Sequence, residues 1–173
     1  MPEQSMPPLM KELHELEFNY ANGDGFDFEP FLEFLSEAET RDWIHAWTGN
    51  RDIDGNEFYV FGQDGTGGYA AFWNARERAS VLDQPNVFLG SEGAAGVLAR
   101  NFAEYLWLLA DGVGPCEAIE QPNRAPAPEA VTREFRRFAE AHAGTTRRTV
   151  AEVLNADQHE FPDFTAHIAA MCR

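Results

Sequence analysis

The sequence predicts an α+β domain: helices first, an antiparallel sheet built around a hairpin in the middle, and helices again at the end. Three observations predict it. Apolar residues recur at helical spacing over the first fifty positions, and the period switches to that of strands from Glu57 onward. Strands and helices then fail to alternate regularly, which argues against the βα repeats of a parallel sheet.

A first helix is expected from about Pro8 to Tyr20, where Leu9, Met10, Leu13, Leu16 and Tyr20 share a face and Pro7-Pro8 suits a first turn. Asn22-Gly23-Asp24-Gly25 ends it. Phe26 and Phe28 alternating with Asp27 and Glu29 describe a half-buried strand with a charged outer face. Pro30 permits a short helical turn. Ser36-Glu37-Ala38-Glu39 has the capping-box pattern and opens a second helix carrying Trp43, Ile44 and Trp47, stopped by Gly49. Glu57 to Gly62 and Gly68 to Trp73 form a hairpin, because Gln63-Asp64-Gly65-Thr66-Gly67 between them supplies turn residues that tolerate positive φ. Asn86 to Leu89 adds a strand after Pro85, with a loop over Gly90 to Gly96. A long apolar helix is expected from Val97 to Ala110, with Leu98, Phe102, Tyr105, Leu106 and Leu109 on its inner face. Prolines at 115, 122, 126 and 128 then mark a linker. A helix follows from Pro128 to about His142, and two shorter ones near Thr146 to Asn155 and Pro162 to Cys172. The expected organisation is therefore an α+β domain over 1–114, a Pro-rich linker over 115–128 and a helical extension over 129–173. The apolar stripes of that extension are too small to fold alone, so it must dock back.

The chain of 173 residues carries a formal charge of −16. Such a surplus excludes nonspecific nucleic-acid binding and docking on an anionic membrane. A content of 44% hydrophobic residues excludes a disordered acidic chain. The longest strongly apolar run, Tyr105 to Ala110, cannot span a bilayer. Met1-Pro2-Glu3-Gln4 has neither the basic nor the apolar region of a secretory signal, so a cytoplasmic protein with unpaired thiols at Cys116 and Cys172 is expected.

Motifs for chemistry are weak. Asn50-Arg51-Asp52-Ile53-Asp54-Gly55 begins like a calcium loop, but Phe61 stands where a bidentate Glu is required, so a turn leading into a strand is expected. His14, His45, His142, His159 and His167 show no zinc spacing. Ser91 in Gly90-Ser91-Glu92-Gly93 lacks the nucleophile-elbow spacing, and the Gly-rich turn lacks the Lys-Ser/Thr of a phosphate loop. No metal, cofactor or catalytic residue is expected. A small hydrolase using Asp27 or Glu29 with His45 is the enzyme alternative.

The charge itself is the informative feature. Residues 1–60 hold 14 acids against 3 bases, whereas residues 129–173 hold 7 against 6. Glu29, Glu33, Glu37, Glu39, Asp42, Asp52, Asp54 and Glu57, interleaved with Phe31, Phe34, Trp43 and Trp47, suit a basic protein partner: charge speeds encounter and aromatic side chains anchor it.

Three segments carry a resemblance: Val60 to Tyr69, Pro85 to Gly93 and Leu98 to Leu106. Together they resemble the SUKH superfamily, with its apolar strand, Gly-Asp-Gly-type turn, second strand, Pro-led apolar strand and aromatic helix. The likeness spans Phe58 to Gly112, and the chain departs from the family pattern at Ala99-Arg100-Asn101 and over Ala75 to Leu82. The resemblance implies a SUKH-like α+β fold and, as in the Smi/Knr-type immunity proteins of bacterial polymorphic toxin systems, binding and neutralisation of a cognate toxin. It supplies no catalytic residues. The expectation is thus an immunity-type protein, a monomer or weak homodimer, blocking a basic toxin such as a nuclease. A regulatory interaction scaffold without a toxin partner is the alternative.

Overall fold

Successive side chains of a strand point to opposite faces of its sheet, so strands apolar at nearly every position must be covered on both sides. Such a sheet forms the centre of the computed structural model, which describes residues 4–173. Met1-Pro2-Glu3, read above as part of a terminus without a secretory signal, lie outside the described residues. Five strands form an antiparallel meander in the order β1 to β5: β1 (Glu29–Pro30), β2 (Phe58–Gln63), β3 (Tyr69–Trp73), β4 (Asn86–Leu89) and β5 (Ala95–Ala99). Seven helices accompany them: α1 (Pro8–His14), α2 (Glu37–Thr48), α3 (Phe102–Ala110), α4 (Pro115–Glu120), α5 (Glu129–His142), α6 (Val150–Glu160) and α7 (Phe164–Met171). No described helix is long and apolar enough to cross a membrane.

The alternation in β3 divides the interior. Ala70 and Phe72 join Phe61, Phe88 and Leu98 in one core, packed by Met10 and Leu13 of α1, the apolar face of α3, and Val131, Phe135 and Ala139 of α5. Tyr69, Ala71 and Trp73 face the other way, toward Val60, Val87 and Leu89, under Ile44 of α2 and Phe164, Ile168 and Met171 of α7. The helices of the C-terminal part therefore cover both faces.

Several elements form as their local chemistry dictates. The Ser36 side chain accepts from the Glu39 backbone N–H at 3.1 Å while the Glu39 carboxylate reaches back to the Ser36 backbone, closing the capping box. Gly49, left-handed at φ 69°, ends α2. In the hairpin, Asp64 Oδ1 accepts from the backbone N–H groups of Thr66 and Gly68, which holds the turn closed. The register slips between Val60 and Gly62, where a Cβ on Gly62 would lie 2.2 Å from the Phe28 ring.

Four expectations need correction. The helix expected over Val97 to Ala110 begins only at Phe102. Val97, Leu98 and Ala99 belong to β5, which pairs with β4, and Asn101 caps α3 by accepting from the Glu104 N–H at 3.0 Å. Helical spacing lost there to a long-range ladder. The segment expected as a linker over 115–128 opens with α4, whose Pro115 takes the first turn and whose Cys116, Glu117 and Ala118 are buried. The first helix ends at His14 rather than Tyr20, because Phe18 turns inward against Phe26 and Phe135, with ring centroids at 5.4 and 4.8 Å. Finally, Phe26 and Phe28 are buried as the alternation requires, yet only Glu29 and Pro30 join the ladder.

Candidate functional site

On α2, Trp43 and Trp47 are four residues apart and so lie on one face. Their rings stack at 5.3 Å with 19° between planes, and Trp43 meets Tyr69 of β3 at 4.7 Å. Trp47 Nε1 donates to the Gly90 carbonyl at 2.7 Å, which fixes the indole against the β4–β5 loop. The three half-buried rings, with Gln63, Thr66, Gly67 and Ser91, line a shallow groove of about 470 Å³.

Acidic residues stand around it. Gln63, in the groove wall, donates to Glu29 Oε2 at 2.8 Å. Burial, helped by the nearby negative charge of Glu39, raises the Tyr69 hydroxyl above its usual pKa. Asp42 adjoins Trp43 and makes only a long, exposed contact to Arg41 at 3.8 Å.

The eight carboxylates singled out from the sequence thus fall into two groups. Seven are exposed and Glu57 is half-buried. Glu33 is paired with Lys11 at 2.8 Å and Asp52 with Arg173 at 2.6 Å. Glu57 accepts from Trp73 Nε1 at 3.0 Å and faces His167 Nε2 at 2.9 Å. Asp54 closes a local turn by accepting from the Asn56 N–H. Among the described residues no cation pairs with Glu29, Glu37 or Glu39, and these, with Asp42, are the acids left to meet a partner. Of the aromatics, Phe31 sits with Trp43 and Trp47 on the α2 side of the sheet, whereas Phe34 turns to the opposite core against Tyr59 and Phe72.

The residues of the hydrolase alternative are engaged separately. His45 Nε2 bonds the Ile53 carbonyl at 2.6 Å, Asp27 Oδ1 accepts from the Gly65 N–H at 2.9 Å, and Glu29 holds Gln63. No hydrogen bond joins the three among the described residues.

One donor cluster was invisible in the sequence. Asp27, Asp64 and Cys116 bring an oxygen, an oxygen and a sulfur within 4.8 Å of one another, a set that in principle could hold a cation. Their atoms already serve the fold. Asp64 Oδ1 takes three donors of the hairpin turn, Asp27 holds Gly65, and the Cys116 thiol donates to Glu120 at 3.2 Å. Burial first, then the bond to Glu120, pushes the Cys116 thiol up, away from the thiolate a metal would need. Burial likewise raises the neighbouring Glu117 carboxyl to about 7, against the opposing pull of the Asp27 N–H and of Arg124 at 3.9 Å. Cys116 and Cys172 are both free.

The fold and the groove together define an α+β chain with an acidic, aromatic-lined surface. No family model matches the chain, nor does any curated protein or solved structure, so the resemblance to the SUKH superfamily rests on the quoted segments alone.

Proposed function

We propose that this chain is an immunity-type binding protein that captures and neutralises a basic toxin domain through the face built on α2. The observation that carries the proposal is the convergence on one groove of the Trp43, Trp47 and Tyr69 rings with Glu29, bonded to Gln63 of the groove wall, and Glu39, whose charge acts on Tyr69. Pre-stacked, half-buried aromatic rings offer contact area at little cost in side-chain entropy, and they are the residue types that dominate binding energies. Unpaired carboxylates at the rim steer a cationic partner and, if it is a nuclease, stand in for the phosphates of its substrate. The chain acts by occlusion, without catalytic residue, cofactor or metal, and in the cytoplasm.

The test is co-expression with a toxin domain encoded beside this chain, followed by association kinetics at low and high salt. A complex is expected whose association slows about tenfold or more with salt and again in the triple variant Glu29→Lys, Glu37→Lys, Asp42→Lys. Trp43→Ala is expected to speed dissociation at a cost of about 2 kcal/mol. Glu33 and Asp52 are poor choices for charge reversal because each would break an internal ion pair. Salt-insensitive association would remove the electrostatic part of the proposal, and a complex indifferent to both the triple variant and Trp43→Ala would overturn it.

A further inference from the structure

An antiparallel ladder turns the backbone groups of alternate residues toward a neighbouring strand and those of the residues between them away from it. In β4 the direction of each is fixed. Trp73 of β3 donates its backbone N–H to the Pro85 carbonyl at 2.8 Å, so Pro85, Val87 and Leu89 bond toward β3. Asn86, Phe88 and Gly90 then bond toward β5, and the Gly90 N–H does so by donating to the Ala94 carbonyl at 2.6 Å. Phe88 pairs with Gly96, so the N–H and C=O groups of Ala95 and Val97, on either side of Gly96, point away from the sheet. β5 is the last strand in the order, and no other backbone group bonds these four among the described residues.

A hollow of about 540 Å³ opens along this edge. Ala95, Gly96 and Val97 all line it, and consecutive residues of a strand border one space when it lies at the edge rather than over a face. Ile119 of α4 and Leu154 of α6 wall it on one side of the sheet, Phe161 and Phe164 at the α6–α7 corner on the other. The missing side chain of Gly96 seats Ile119, since a Cβ there would lie 2.6 Å from Ile119 Cδ1. Ala95 to Val97 remain half-buried, whereas Leu98 and Ala99 are buried. The open edge is therefore short, about 10 Å at 3.4 Å per residue.

We propose that the β5 edge is a docking site for an extended, cationic segment of a partner protein, which adds to the sheet as a further strand. A strand presents N–H and C=O groups at the spacing that Ala95 and Val97 offer. Its alternate side chains enter the two walls, toward Ile119 and Leu154 on one face and toward Phe161 and Phe164 on the other. Charge sets the rest of its chemistry. Glu120 directly follows Ile119 and Asp163 stands between Pro162 and Phe164; both are exposed, and no cation pairs with either among the described residues. Lys or Arg at the ends of the segment complements them. A second copy of this chain does not fit: it carries the same charge of −16, and its own β5 is equally recessed between α4 and the α6–α7 corner, so two such edges cannot meet. The site does not depend on the function proposed for the α2 face.

Nuclear magnetic resonance on the full, isotopically labelled chain tests this with the peptides Lys-X-Thr-X-Thr-X-Lys, where X is Val, Ile, Leu or Phe. At least one is expected to bind, to shift the amide resonances of Ala95 and Val97, and to slow their hydrogen exchange about tenfold or more. N-methylation of its three central residues keeps every side chain but removes the strand's donors, and is expected to abolish binding. Glu in place of both Lys is expected to weaken it about tenfold at low salt. In the chain, Ala95→Pro removes an outward N–H at the first residue of an edge strand, where Pro is tolerated, and is expected to cost about tenfold in affinity with the circular dichroism spectrum unchanged. The N-methylated peptide gives the same answer on the unaltered chain if Ala95→Pro fails to fold. The proposal is overturned if no peptide of the set binds, if the N-methylated peptide binds as its parent does, if the shifts fall on the Trp43 and Trp47 indoles of the α2 groove instead of Ala95 and Val97, or if folded Ala95→Pro binds undiminished. A chain that sediments as a dimer and that Ala95→Pro returns to the monomer would assign the edge to a second copy and overturn it as well.

Discussion

Asp157→Asn is expected to stabilise the folded chain at neutral pH, and the size of the gain follows from the burial of that carboxyl. Folding raises its pKa from 3.8 to about 8, chiefly through desolvation. The folded pKa lies above the unfolded one, so the unfolded chain releases this proton first. The resulting penalty on folding is absent below about pH 4, grows with pH, and reaches its full value above about pH 8. At pH 7 roughly three pKa units of the gap are in force, at about 1.4 kcal/mol each, which gives an upper limit of about 4 kcal/mol. Asn is neutral throughout and, like protonated Asp, brings an unpaired polar group, so the difference between the two proteins isolates the ionisation cost. Urea denaturation followed by tryptophan fluorescence at pH 4.5, 6 and 7.5 measures it. The Asn variant should lead the parent by only about 1 kcal/mol at the lowest pH and gain steadily from there, and a gain of 3–4 kcal/mol would raise the melting temperature by about 10 °C in a domain of this size. An Asn variant less stable than the parent at pH 7.5, or a difference that does not change with pH, would refute the reasoning.

Three further outcomes follow from other buried groups. His14 is held by burial to about 4, against the bond of its ring nitrogen to the Phe31 carbonyl. Its folded pKa is below the unfolded 6.5, so stability present above pH 6.5 is lost as pH falls toward 4, by about 3 kcal/mol in all; denaturation at pH 7 and pH 4 should show His14→Gln losing less than the parent. Glu104→Gln removes the acid that holds Arg100 and Arg148 at 2.5 and 3.1 Å and is expected to cost about 3 kcal/mol, with hydrogen exchange rising first in α6. Gly62→Ala places a Cβ 2.2 Å from the Phe28 ring and 2.8 Å from the Glu29 carbonyl, so a loss of about 1–3 kcal/mol is expected, measured by thermal unfolding.

The parts legible in the sequence are those that neighbours in the chain settle between themselves. Ser36 and Glu39 close their capping box within three residues, and Gly49 ends the same helix. Asp64 and the glycines after it make the hairpin turn from their own side chain and backbone. Trp43 and Trp47, four apart on that helix, were recognisable as an aromatic pair beside acids; Tyr69 and Gln63, which complete the groove, were not, because they arrive on the hairpin strands. Val97 to Ala99 misled for a related reason: their spacing suits a helix, and only the partner strand β4 makes them a strand.

The acid surplus of the first sixty residues and the order of helix, hairpin and helix were determined by the sequence alone, since composition and local hydrogen bonding need no distant partner. Tertiary structure decided which acids remain available, by pairing Glu33 with Lys11 and Asp52 with Arg173 and leaving Glu29, Glu37 and Glu39 without cations among the described residues. It also decided that Asp157, an unremarkable residue on a helical tail, became a buried carboxyl on the wall of a cavity between β5, α4 and α7. Desolvation and pairing depend on what the chain brings together in space, and positions as far apart as 97, 119 and 157 acquire that relation only when the sheet and its covering helices close around them.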